Sequence, residues 1–184
     1  MELPGSQHLS EAVIATGSTI AIRRIRPDDE PLMVRFHEGL SDRSVYQRYF
    51  HMMTLASRTA HARLTRICVA DDDREVVLVA EGRDDDTRER VIMGVTRLER
   101  IDGGGEAEFA VVVADRYQGI GVGSALMRRL IEIARLAGVT RLRADILADN
   151  APMRRMCARV GIPVGPSGDA RFVVADLPLP PSPA

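Results

Sequence analysis

The spacing of apolar residues changes from segment to segment along this chain, and each change predicts an element. Residues 18–25 (STIAIRRI) alternate and are rich in β-branched side chains, the pattern of a strand with one buried face. Arg26-Pro27-Asp28-Asp29 then breaks the chain and supplies helix-opening acids, and helical spacings follow at about 29–39, 42–50 and 57–67. Two apolar runs, Val76 to Ala80 and Val91 to Leu98, flank the Gly82–Arg90 turn and predict a hairpin with a long connection. Gly103-Gly104-Gly105 turns the chain into another strand, Glu106 to Val113.

In the second half Val122, Leu126, Leu130, Ile133 and Ala137 fall on one face of a long amphipathic helix, with Gly138 as its stop. A strand at about Arg141 to Leu147 completes a βαβ crossover. Asp149-Asn150-Ala151-Pro152 opens a shorter helix that ends near Gly161, and an edge strand, Ala170 to Ala175, follows a turn at Gly165 to Gly168. Residues 1–17 read as a loose leader, 18–176 as one domain and 177–184 as a proline-rich tail. This order predicts an α+β domain built on one mixed sheet.

The length of 184 residues fits a single domain, and 45% hydrophobic with 28% charged residues is the balance of a globular chain. All 25 basic residues are arginine. Without lysine the chain cannot form a Schiff base, anchor pyridoxal phosphate or build a Walker-type phosphate loop. A net charge of −1 gives no global attraction to nucleic acid or an anionic membrane, and the arginine pairs lack interleaved aromatics. Cys68 and Cys157 lack CxxC spacing, and His8, His37, His51 and His61 never pair at ligand spacing, so no metal is expected. The opening MELPGSQHLSEAV is no signal peptide, and no apolar run spans a membrane, so the expected location is cytoplasmic. Asp71-Asp72-Asp73 and Asp84-Asp85-Asp86 read as solvated turns, and Tyr46, Tyr49 and Phe50 as core aromatics on a helix.

Chemistry concentrates at Tyr117-Gln118-Gly119-Ile120-Gly121-Val122-Gly123-Ser124, between a strand and a helix. Glycines let an anion approach the backbone, and the first amides of a helix have no internal partner and sit at the positive end of its dipole. Together they can cradle a phosphate without lysine. The same glycines would also serve close helix–sheet packing alone. A dinucleotide is disfavoured: the third glycine of GxGxxG is replaced by Ser124, and the turn begins well beyond its strand. Counting by two along the preceding strand puts Glu106, Glu108, Ala110 and Val112 on one face. A carboxylate in an otherwise apolar strand needs a purpose or a partner, either base chemistry or an ion pair with one of the many arginines.

Gln118-Gly119-Ile120-Gly121-Val122-Gly123, with EAEFAVVV before it, SALMRRLIEIAR after it and LADNAPM beyond the next strand, resembles the signature of GNAT N-acetyltransferases. The segment IRRIRPDDEPLMVRFHEGLSDRSVYQRYF is similar to the opening of bacterial protein lysine acetyltransferases that modify AMP-forming acyl-CoA synthetases. The resemblance covers about residues 20–175. It implies a mostly antiparallel mixed sheet flanked by helices, with a V-shaped acetyl-CoA cleft between two adjacent parallel strands. It also implies that Gln118 and the amides of Gly119, Ile120, Gly121, Val122, Gly123 and Ser124 bind the pyrophosphate, and that Val111, Val112 and Val113 pair with the pantetheine arm. Asn150 is either a further CoA contact or a plain helix cap. Glu108 matches the family's general base, with Glu106 in reserve. Cys157 stands where many relatives carry a tyrosine that protonates the leaving thiolate, and a buried core thiol is the expected reading. The activity implied is acetyl transfer from acetyl-CoA to an amine of a partner protein, a lysine of an acyl-CoA synthetase foremost. A non-catalytic acyl-CoA sensor and a small-molecule acetyltransferase are the alternatives.

Overall fold

The computed structural model describes residues 10–69, 74–101 and 105–180. Its strands are Ser10–Val13 (β1), Thr19–Arg24 (β2), Glu75–Arg83 (β3), Arg90–Arg100 (β4), Glu106–Val113 (β5), Arg141–Leu147 (β6), Val164–Pro166 (β7) and Phe172–Pro178 (β8). Its helices are Glu30–Glu38 (α1), Asp42–Tyr49 (α2), Leu55–Thr59 (α3), His61–Cys68 (α4), Val122–Leu136 (α5) and Ala151–Arg159 (α6). All eight strands form one sheet in the order β1-β2-β3-β4-β5-β6-β8-β7. Among the described residues only the β5–β6 pair is parallel, as the crossover through α5 requires.

The long amphipathic helix α5 covers one face of the sheet. Gly94 makes its close approach possible: a Cβ there would lie 3.0 Å from Leu126 and 3.1 Å from Val122. The buried stripe Val122, Leu126, Leu130 and Ile133 packs on this face, and the helix ends before Gly138, whose φ of +71° suits glycine. On the opposite face α1 packs against β4, and its Met33 and Phe36 line a cavity together with Val77, Val95 and Val112 of the sheet. No helix among the described residues is long and apolar enough to cross a membrane.

Four expectations are corrected. Residues 10–13 of the expected leader are β1, hydrogen-bonded along β2 from Ser10↔Ile22 to Val13↔Thr19. Four residues are too few for alternation to be visible, and backbone pairing alone defines this strand. The single helix expected at 57–67 is two, because Ala60 is extended (φ −56°, ψ 128°). Arg58, buried in α3, donates to the carbonyls of His37 and Leu40 and ties α3 to the end of α1. The strand expected at the edge is internal: β8 lies between β6 and β7, and its extension through Pro178 leads into the buried Leu179. Tyr46 and Phe50 are exposed rather than core, with the Phe50 ring edge-on to Phe172 at 5.2 Å. Asp71 to Asp73 lie outside the described residues.

Candidate active site

Parallel pairing between β5 and β6 is short. It runs through Glu106↔Arg141, Ala107↔Leu142 and Glu108↔Arg143, whereas β6 continues along β8 as far as Leu147↔Phe172. Beyond Glu108 the two strands part, which leaves one edge of residues 109–113 without a ladder partner. The resulting cleft, about 200 Å³, is lined by Val111, Val112 and Val113 on one side and by Asn150, Met153 and Met156 on the other. At its floor lie Gln118, Gly119, Gly121, Gly123 and Ser124.

The glycine turn has the geometry that an anion needs. Gly119 and Gly121 adopt φ of +80° and +102°, and Gly121 caps α5 with no side-chain hydrogen bond. A Cβ on Gly119 would meet nothing within 4 Å, and one on Gly121 only the Ala15 amide at 4.0 Å. The first turn of a 15-residue helix is thus open, with its dipole aimed into the cleft. These residues fit the pyrophosphate of a CoA ester.

The turn is braced from three directions. The Ala15 amide donates to the Ile120 carbonyl at 2.9 Å, so the segment after β1 holds it from outside. The Gln118 amide donates to Ser44 Oγ and to the Val113 carbonyl. The Ser41 hydroxyl and amide donate to Asp115, which clamps the start of α2 to the segment before the turn. Burial works against the Asp115 charge, but the Ser41 bonds prevail and hold its pKa below the usual carboxylate range. Asp84, expected as a solvated acid, instead accepts from the amides of Asp86 and Thr87 and from the Tyr117 hydroxyl.

The structure gathers most of the expected site residues and separates a few. The Val122 side chain is buried in the core, and Ile120 faces the groove beside β1, so only their backbones belong to the turn. Asn150 lines the cleft and also caps α6, accepting from the Met153 amide at 3.1 Å. Glu106 stands 3.9 Å from Arg141, at the closed end of the parallel pair. Glu108 is exposed at the fork and makes no ion pair within 4.0 Å among the described residues, although its charge acts on the Arg48 guanidinium. Cys157 is 0% exposed, and burial pushes its thiol up to about 11, so it is a core residue. Spacing did not reveal Ser44, Arg48, Arg155 and Arg159, which also line the cleft. Ser41-x-x-Ser44 signals a helix start, but nothing local shows that this helix ends at a cleft 74 positions away. No cluster of three metal-ligating side chains occurs among the described residues.

Residues 19–162 match the family described as the acetyltransferase (GNAT) domain. The chain belongs to the GNAT acetyltransferase family. An acetyltransferase of Pseudomonas aeruginosa is 30% identical over 145 residues, covering 79% of this chain and 75% of that protein. Acetyltransferase Pat of Mycolicibacterium smegmatis is 43% identical over 75 residues, 41% of this chain and 22% of that longer protein. Among solved structures, the GNAT domain of S. lividans PAT superposes with a TM-score of 0.82 at 29% identity, covering 95% of this chain and all of that domain. This GNAT chain is accordingly an acyltransferase, and members of its family use acetyl-CoA as donor.

Proposed function

We propose that this chain acetylates the ε-amine of a protein lysine, with Glu108 as general base, and that an AMP-forming acyl-CoA synthetase is its acceptor. The observation that carries the reading is the placement of Glu108: exposed, free of ion pairs among the described residues, and set where β5 and β6 part. A substrate lysine is protonated at neutral pH and cannot attack until it loses that proton. Glu108 would accept it, directly or through a water. Bound acetyl-CoA would supply the thioester carbonyl and a thiolate leaving group. The open edge of residues 109–113 would align the pantetheine arm, and the turn at 119–124 with Gln118 would fix the pyrophosphate. Similarity to Pat and to the S. lividans PAT domain supports a protein acceptor.

The test combines calorimetric titration with acetyl-CoA and a free-CoA release assay on a purified acyl-CoA synthetase. Wild type should bind and turn over, while Glu108→Gln should bind with nearly unchanged affinity and lose turnover by at least about a hundredfold. Loss of binding together with activity would make Glu108 structural. Binding with no CoA release for any amine would leave a sensor, and release with small amines only would exclude the lysine acceptor.

A further inference from the structure

A second cavity of about 220 Å³ opens on the sheet face that carries Glu108, two and four residues further along β5 at Ala110 and Val112. It adjoins the cleft, because Arg48 and Val112 line both. Four guanidinium groups surround it: Arg48 from α2, Arg63 and Arg66 from α4, and Arg97 from β4. Among the described residues Glu75 of β3 is the one lining carboxylate, and Arg97 already bonds to it and to Glu99. Arg48, Arg63 and Arg66 have no carboxylate within 4.0 Å among the described residues, and the Arg63 Nε is buried without a partner. Arg48 and Arg63 lie instead against the Tyr49 ring, at 4.9 and 5.1 Å from its centroid.

His37 supplies an independent sign of a missing ligand. It lines this cavity at 1% exposure, and neither ring nitrogen has a hydrogen-bond partner among the described residues. Burial, together with Arg63, Arg58 and Arg48, lowers its pKa to about 4. Glu108 acts on Arg48 only at longer range, and Glu75 and Glu99 are engaged by Arg97, so the cations outnumber the carboxylates around this cavity. Buried polar atoms without partners and crowded cations are each costly, and one oxyanion seated among them would relieve both.

We propose that this cavity is an oxyanion-binding site, distinct from the glycine turn, that takes a small carboxylate or phosphate group. Arg48 and Arg63 would hold the anion through charge-assisted hydrogen bonds with Tyr49 as their platform, and His37 would donate to it from below. The site stands whether or not Glu108 is the base, because its test reads binding alone.

The test is a nitrogen-15 NMR titration of the full chain with succinate and, separately, with inorganic phosphate. The His37 ring signals are assigned by comparison with His37→Gln. A saturable His37 shift is expected, with its pKa rising above about 4, because an adjacent anion favours the imidazolium. Arg63→Gln should weaken the response about tenfold or more while leaving the acetyl-CoA titration unchanged. The exposed Arg66→Gln offers a milder second variant should Arg63→Gln fold poorly. A His37 signal that never moves, or one whose shift acetyl-CoA competes away, would overturn the proposal. A response to succinate marks a free metabolite as the source. A response only to a lysine peptide with a neighbouring glutamate, lost in its glutamine version, marks the acceptor; either supports the site.

Discussion

At Gly121 the backbone sits at φ +102° and the helix behind it starts without a side-chain cap, so one residue combines conformational need with ligand access. Gly121→Asp adds left-handed strain and places a negative charge where a phosphate would lie. Acetyl-CoA affinity should fall by about two orders of magnitude, roughly 2.7 kcal/mol, in a calorimetric titration. Gly161→Ala (φ +76°, open surroundings) is the control for strain alone and should bind normally. His37 gives a second test at this scale. Its folded pKa of about 4 lies below its ordinary 6.5, so the fold favours the neutral ring. Its contribution is complete above pH 6.5 and is lost as pH falls through 4, on the order of 3 kcal/mol in all. In buffers without carboxylate or phosphate, urea midpoints of wild type should drop over this window. His37→Gln should show a flatter slope, and equal slopes would refute the assignment.

Among the elements, α5 was readable because fifteen residues give its apolar stripe enough turns to stand out. The division of α3 from α4 was not, since Ala60 has no local signal and Arg58 is held by carbonyls of α1. β1 was hidden for a related reason: its evidence is a ladder to β2 and one bond from Ala15 to Ile120. Removing residues 1–15 should therefore do more than trim an edge. We expect a lower melting temperature and a several-fold weaker acetyl-CoA affinity, because the outer brace of the glycine turn is lost. Unchanged affinity in that truncation, measured by calorimetry, would show that the turn holds itself.

Across the whole molecule, a buried ion network joins segments far apart in sequence. Arg23 of β2 bonds Asp29, before α1, at 2.7 Å, and Glu81 of β3 bonds both Arg23 and Arg90. Asp29→Ala would leave Arg23, 4% exposed, with Glu81 as its remaining carboxylate partner and its NH1 group short of an acceptor, and the expected loss is about 1–3 kcal/mol by chemical denaturation. Glu81, lowered to about 2 chiefly by its bond to Arg90, adds stability that is present above 4.5 and lost as pH falls toward 2. Sequence alone determined the α+β class, the βαβ crossover, the glycine turn before α5 and the alternation that puts Glu106 and Glu108 on one face. Those features are local, set by periodicity, glycine spacing and helix ends, which neighbouring residues suffice to express. Only the tertiary structure decided where β5 and β6 part, that Glu108 stands unpaired at that fork, and that Cys157 is sealed in the core. The same holds for the gathering of His37, Arg48, Arg63 and Arg97 around one cavity. These facts depend on pairing registers and on packing between distant segments, and no short window of sequence contains either.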